Sequence, residues 1–309
     1  MSFVTVFAAS GRQGLAQVRQ LIKAGRKVRA VSRRTDPFLG ENFPNTEVVS
    51  ADLDDAASLA RAVEGAEAVF FTRPLIQTSD PIARITRLGQ AAKKAGVKRL
   101  VFNTSLYVPE KPIGQFTYDI AVRMEDAFAQ TGVPLTVFRP VLFMDNLLTN
   151  WARPFIVHEG RYVYPHRESL AANWISLDDV AKFMIASLEK PDLEGARLVI
   201  GGPENLFPED VAKILSAAVG RPVRYDPCTP EAFSNRLVKA FGDEFPDALR
   251  EPTKARIAEF YHFNNDPKFN PFAVDMTPVL ARMPVKMEAM RDWAMRQDWS
   301  DSARRPPAG

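Results

Sequence analysis

The fold is decided by residues 3–14, Phe3-Val4-Thr5-Val6-Phe7-Ala8-Ala9-Ser10-Gly11-Arg12-Gln13-Gly14. Phe3–Ala8 is an unbroken run of apolar or β-favouring residues, the pattern of a strand buried on both faces. Leu15, Val18, Leu21 and Ile22 follow at helical spacing, with Gly25 as a stop. A strand passing through a glycine-bearing turn into a helix is the setting of a dinucleotide-binding fingerprint. Backbone N–H groups of such a turn approach a pyrophosphate, which then lies on the helix N-terminus. Gly11 leaves room for that approach, and Gly14 lets the helix pack close to the strand. Ala8 stands where a first glycine is usual, and a small residue serves there if its φ is negative. The alternative is a tight turn in an α/β protein that holds no cofactor.

Outward from this unit, strand and helix alternate. Strands are predicted at Lys27–Ser32, Glu47–Ser50, Ala68–Thr72, Arg99–Asn103 and Leu135–Arg139. Helices are predicted after Asp54, read as a cap, and over Ile82–Ala95 and Ala121–Gln130. The alternation implies βαβ crossovers and a doubly wound parallel sheet of the Rossmann kind, covered on both faces. From about Asn146 the chain is rich in proline and aromatics. There a strand is predicted at Trp174–Leu177, a helix at Leu177–Leu188, a strand at Leu198–Ile200 and a helix at Pro208–Val219. Glu231–Ala258 reads as helical with breaks at Pro246 and Pro252. The expected division is a nucleotide-binding Rossmann domain over 1–150, with segments near 174–200 returning to it. A smaller mixed domain for substrate or partner follows over 151–300, then a disordered tail over 301–309.

The end of the second strand selects the dinucleotide. An acid there would bind the ribose 2′-hydroxyl of NAD. Here Val31-Ser32-Arg33-Arg34 has no acid until Asp36. Arg33 offers a fork of donors to a 2′-phosphate and Ser32 a hydroxyl, and Arg12 is within reach of the same group. NADP is therefore the expected cofactor. Taken alone, Arg33 and Arg34 would read as a solvated pair. Asp52, at the third strand's end, suits the adenine amino group or a helix cap.

Of the 309 residues, 46% are hydrophobic and 25% charged, which excludes a disordered or collagen-like chain. No apolar run approaches the roughly 18–20 residues of a membrane span, and no basic leader precedes residue 10. The single Cys228 allows neither an intrachain disulfide nor a cysteine metal cluster, and the three histidines share no ligand spacing. A cytoplasmic setting is expected. The net charge of +3 is small against 40 basic and 37 acidic residues, and argues against direct nucleic-acid binding.

Several stretches together resemble the NmrA-like atypical short-chain dehydrogenase/reductases. They are Ala9–Gly14, Val28–Arg33, Asp52–Asp55, Gly96–Val101, Thr131–Pro140 and Phe143–Leu147, spread over most of residues 3–200. The resemblance implies a Rossmann domain, usually NADP binding, and a variable substrate domain. Its cofactor contacts fall on Ser10, Gly11, Arg12, Gln13, Gly14, Arg33, Asp52 and Leu53. They continue at Thr72 and Arg73 after the fourth strand and at Asn103, Thr104 and Ser105 after the fifth. Pro140, Val141 and Phe143 would lie beside the nicotinamide.

The same resemblance divides over activity. Some members reduce quinones, dyes or phenylpropanoid ethers; others look like redox sensors that bind a regulatory protein. Short-chain dehydrogenases generally use a Tyr-x-x-x-Lys pair. Here Tyr118 is followed four residues later by Val122, and no lysine lies between Lys111 and Lys182. Tyr118 is a candidate acid without its usual cation, with Arg123 as a substitute neighbour; the alternative is a packing role. Phe116, Tyr118, Phe143, Trp151, Phe155, Tyr162 and Tyr164 are candidate walls of an apolar cleft, or else ordinary core. The leading expectation is an NADPH-dependent reductase of a small conjugated molecule, quinone- or enone-like. A non-catalytic NADP(H) sensor with a protein partner is its rival, and an isomerase holding its cofactor tightly is weaker because the Tyr–Lys pair is absent.

Overall fold

The computed structural model describes residues 3–33, 37–74, 80–242 and 246–300. Arg34, Asp36 and the predicted tail over 301–309 lie outside them. The first half alternates as the sequence requires: β1 (Phe3–Phe7), α1 (Arg12–Lys23), β2 (Val28–Ser32), α2 (Pro37–Asn42), β3 (Glu47–Ser50), α3 (Ala56–Val63) and β4 (Ala66–Thr72). It continues with α4 (Pro81–Lys94), β5 (Arg99–Asn103), α5 (Phe116–Gln130) and β6 (Leu135–Pro140). The rest comprises β7 (Leu142–Phe143), β8 (Arg161–Tyr164), β9 (Trp174–Ile175), α6 (Leu177–Ser187), β10 (Arg197–Ile200), α7 (Pro208–Val219), β11 (Arg224–Pro227), α8 (Pro230–Ala240), α9 (Asp247–Asn264), α10 (Thr277–Arg282) and α11 (Met290–Met295).

Seven strands form one sheet in the order β10-β6-β5-β4-β1-β2-β3, and every pairing in it is parallel. The order runs outward from β1 in both directions, the doubly wound arrangement of a Rossmann core. Alternation along the central strands explains their continuous hydrophobicity. Val4, Val6, Ala68 and Phe70 pack with Val18 and Leu21 of α1 and Val180 and Phe183 of α6. Phe7, Val69 and Phe71 face the other way, onto Leu59, Leu88 and Phe128 of α3, α4 and α5. β10 returns to the sheet edge beside β6, and α6 lies on α1.

Beyond the sheet, β7 pairs with β9 and β8 with β11, both parallel. These short ladders and α7, α8 and α11 enclose a further core that contains Trp151, Tyr162, Tyr164, Trp174, Phe233 and Trp293. The region is the mixed, largely helical C-terminal addition to the Rossmann sheet.

Several boundaries differ from the sequence reading. Asp55, not Asp54, caps α3, its carboxylate accepting from the Ala57 amide. Asp54 instead pairs with Arg84 and Arg87. α5 starts five residues earlier than predicted, because the Gln115 side chain accepts from the Tyr118 amide and serves as an unusual cap. The strand read over Trp174–Leu177 stops at Ile175, where Ser176 caps α6. Pro246 immediately precedes α9, but Pro252 lies within that helix rather than breaking it. Six residues into the helix, it removes one amide from the intrahelical ladder.

Candidate active site

The carboxyl ends of β1–β6 gather the residues singled out in the sequence. Ala8 takes φ +55, so the first-glycine position is left-handed here and not negative as the sequence reading required. Its carbonyl accepts from the Gly11 amide at 3.0 Å, closing the turn. Gly11 is the N-cap of α1, and no side chain caps that helix. The first amides of α1 are thus left without a side-chain acceptor at the edge where a doubly wound sheet binds ligands. A Cβ on Gly14 would stand 2.2 Å from the Ala8 carbonyl oxygen, so helix and turn meet with no space for a side chain.

At the end of β2, Ser32 is buried and Arg33 is exposed. The Arg33 carbonyl accepts from Ser50 Oγ at 2.9 Å, and its guanidinium contacts no acid among the described residues. Arg12 does not join it. Its guanidinium donates to the Asp145 carbonyl at 2.9 Å and reaches Asn146 Oδ1 at 3.5 Å. The Arg12 side chain is therefore a tie between α1 and the segment after β7, which removes it from the 2′-phosphate role. Burial lowers its pKa, opposed by the nearby Asp145 carboxylate. That carboxylate, itself pushed up by burial, accepts from the Leu177 amide at the start of α6.

Asp52 is exposed after β3, and its Oδ1 accepts from the Asp54 amide at 2.9 Å. Leu53 holds Arg87 through its carbonyl at 2.8 Å. At β4, Thr72 Oγ1 accepts from Gln17 Nε2 at 2.8 Å. Gln17, which the sequence reading passed over, joins α1 to β4; its helical position alone gave no signal.

A tighter polar group joins the turn to β5. Asn103 Nδ2 donates to Gln13 Oε1 at 2.8 Å, and Gln13 Nε2 donates to Ser105 Oγ at 2.9 Å. Asn103 Oδ1 accepts from the Ser105 amide at 2.8 Å, while Ser105 holds φ +61. Ser105 Oγ in turn lies 3.3 Å from the Arg73 carbonyl. Thr104 differs from its neighbours. It is fully buried, and its hydroxyl faces the Leu106 and Phe138 carbonyls at 2.7 and 3.1 Å. Its side chain braces the strand ends and is not offered to a ligand. Pro140, Val141 and Phe143 are buried as the chain leaves β6.

The catalytic and pocket expectations fare worse. Tyr118 is fully buried among Tyr107, Phe260, Phe263 and Phe269, and its hydroxyl donates to Asn264 Oδ1 at 2.6 Å. Burial drives its pKa far above the ordinary phenol value, and Arg123 points to solvent instead of supporting it. Tyr118 is a packing residue and not an acid. Phe116 is 46% exposed beneath Arg256, whose guanidinium carbon lies 4.4 Å from the ring centre. Trp151 packs on Tyr164 and Phe233, with ring centres 5.8 and 5.2 Å apart. Tyr162 is buried against Tyr164, Trp174 and Tyr225, its hydroxyl without a hydrogen-bond partner. Trp151 and Tyr162 thus belong to the aromatic core, and Phe116 lies on the surface. Tyr107, not singled out in the sequence, is half-buried just past β5, and burial raises its pKa.

An uncapped helix start, a turn closed against a glycine, an Arg33 with no acid among the described residues and a polar group spanning Gln13 to Ser105 fit a bound dinucleotide. Among the described residues no cluster suits a metal ion, and no helix is long and apolar enough to cross a membrane.

The sequence model of the NmrA-like family matches residues 1–295. An NAD(P)H azoreductase of Xenophilus azovorans is 30% identical over 252 residues, covering 80% of this chain and 85% of that protein. A (4-alkanoyl-5-oxo-2,5-dihydrofuran-3-yl)methyl phosphate reductase of Streptomyces griseus is 31% identical over 247 residues, covering 80% and 84%. Among solved structures, an NADPH-dependent quinone oxidoreductase of Escherichia coli in complex with NADPH superposes with a TM-score of 0.72. It covers 94% of this chain and 98% of its own at 18% identity, a likeness of fold.

Proposed function

This chain belongs to the NmrA-like family, and on that footing we propose that it transfers hydride from NADPH to a small conjugated acceptor. It is an NAD(P)H-dependent oxidoreductase. The observation that carries the finer reading is the carboxyl edge, where α1 starts without a side-chain cap and Arg33 is exposed with no described acid, beside the internally hydrogen-bonded Gln13–Asn103–Ser105 group. The relatives' names point the same way, one an azoreductase and the other a reductase of a dihydrofuranyl methyl phosphate.

A bound nicotinamide supplies the hydride. The α1 amides would take the pyrophosphate, with Gly11 at their start. Arg33 would hold the 2′-phosphate, and Asp52 the adenine amino group. Asn103 fixes Gln13 and Ser105 at the nicotinamide half of the edge. The Tyr118 hydroxyl is buried against Asn264, and in this reading the reduced product takes its proton from water. That restricts the substrate to acceptors that delocalise the incoming charge, such as quinones, enones and azo compounds. Aliphatic ketones, whose alkoxide needs a proton as it forms, fall outside the range. We place the protein in the cytoplasm, acting on a small molecule, with no nucleic-acid partner.

The test is NADPH oxidation against quinones, azo dyes, enones and aliphatic ketones. Turnover confined to the conjugated acceptors is expected. Tight NADPH binding with no turnover across the panel would instead assign the protein to the cofactor-sensing, partner-binding kind.

A further inference from the structure

We propose that Arg73 is a receptor for an anionic group on the substrate, so that the preferred acceptor is a conjugated ring system carrying a carboxylate, sulfonate or phosphate. The proposal rests on the reductase reading and adds its charge.

Arg73 directly follows β4 and is only 9% exposed. Its backbone is pinned, the amide donating to the Asn103 carbonyl at 2.8 Å and the carbonyl facing Ser105 Oγ. Its side chain is not. Nε is buried with no hydrogen-bond partner, and no described acid offsets the charge. The contrast with the other buried arginines is clear. Arg99 donates to Thr136 and the Lys190 carbonyl, and Arg139 to Glu110 and Glu125; Arg153 binds the Asp298 and Ser300 carbonyls. Among the described residues Arg73 alone of these makes no side-chain hydrogen bond. Burial without compensation pulls its pKa down to about 10. A desolvated cation of this kind is completed by an anion.

Two sources of anion are conceivable, and the position favours one. The phosphates of a dinucleotide lie over the start of α1 and, for the 2′-phosphate, at the end of β2. Those places already have the α1 amides and Arg33. Arg73 is tied through Asn103 and Ser105 to β5, on the opposite side of β1 from β2. That is the half of the sheet edge that takes the nicotinamide mononucleotide, and with it the acceptor. A forked guanidinium suits the paired oxygens of carboxylate, sulfonate or phosphate.

The experiment compares a neutral azo dye with the same dye bearing a remote sulfonate, using wild type and Arg73→Gln with NADPH. Benzenesulfonate is titrated calorimetrically into both proteins loaded with NADP+. Loss of a charge-assisted contact should lower the sulfonate-to-neutral ratio of kcat/KM by about 10- to 100-fold, mainly through KM. Benzenesulfonate should bind the variant at least about tenfold more weakly. An unchanged ratio, above all together with weaker NADP+ binding by Arg73→Gln, would assign the guanidinium to the cofactor and overturn the proposal. If wild type reduces neither dye, the reductase reading fails, and the benzenesulfonate titration still decides the anion site. Should Arg73→Gln not fold, Arg73→Met carries the same comparison.

Discussion

At the carboxyl edge of the sheet, Arg33 and Arg73 carry guanidinium groups with no described acid, and α1 begins without a side-chain cap. In the aromatic core beyond β7 and around α9, polar groups turn inward. The Tyr118 hydroxyl goes to Asn264, the Tyr225 hydroxyl goes to the His166 carbonyl at 2.5 Å, and His166 is held neutral, its pKa drawn down to about 3 by burial. In the first region the unmatched groups are cations and helix amides at the strand ends; in the second they are neutral groups enclosed by aromatic packing, such as the Tyr162 hydroxyl. Aromatic abundance is therefore a poor guide to a binding cleft, whereas an unmatched charge at the carboxyl ends of the parallel strands is a better one.

The comparison breaks most visibly if the aromatic region proves functional. Trp151→Ala should cost about 3–5 kcal/mol, the range for emptying a large aromatic site in a core. Denaturant unfolding measures the loss, and an NADPH titration of the folded fraction should give the wild-type affinity. A stable Trp151→Ala protein with poor cofactor binding would reverse the assignment of the two regions.

At the edge, two glycines should separate folding from binding. Gly14→Val drives side-chain carbon into the Ala8 carbonyl and should cost about 3 kcal/mol or more, with cofactor binding lost. Gly11 has φ −76, which any residue adopts, so Gly11→Val should fold normally and still lose NADPH, because its branch shields the α1 amides. Melting curves beside calorimetric titrations check both. NADPH binding retained by Gly11→Val would remove the phosphate from the helix start.

Tyr118→Phe sharpens the contrast further. It strips Asn264 Oδ1 of its donor and should cost about 1–3 kcal/mol of stability. Its kcat on a quinone should fall by less than about tenfold, below the 10²–10⁴-fold supplied by positioned acids. A thousandfold drop at unchanged cofactor affinity would mean that the phenol reaches the substrate after all.

The smallest effect tests the strained turn. Ala8 pays the left-handed penalty that glycine avoids, so Ala8→Gly should stabilise the protein by about 0.5–1 kcal/mol after the entropy of the unfolded chain is counted. A rise in Tm of roughly 1–3 °C is expected. A fall would show that the methyl group packs favourably enough to offset its backbone.

What the sequence disclosed follows from where each signal lies. Strands such as Ala66–Thr72 are apolar on both faces because both are covered, so their order along the chain already implied the parallel sheet. Gly11 and Arg33 stand out from the turn after the first strand and from the end of the second, and Asn103 through the family resemblance alone. Arg12 misled because its position beside the phosphate turn says nothing of its direction, which Asp145 and Asn146, 133 and 134 residues away, determine. Tyr118 misled for the same reason, since Asn264 lies 146 residues on. Phe116 and Trp151 are both large aromatics in the sequence, yet one is exposed and the other buried. The bare charge on Arg73 is likewise a property of the assembled surroundings and left no mark in the local sequence.

We propose that the carboxyl edge holds NADP(H) with Arg33 reading its 2′-phosphate. This is tested most directly by titrating NADPH and NADH into wild type and Arg33→Ala. A charge-assisted hydrogen bond contributes about 1.5–3 kcal/mol, so NADPH should bind wild type roughly 10- to 150-fold more tightly than NADH. In Arg33→Ala that preference should largely disappear through weaker NADPH binding, with NADH affinity little changed. Equal affinity of wild type for the two cofactors, or a preference that survives in Arg33→Ala, would contradict the account.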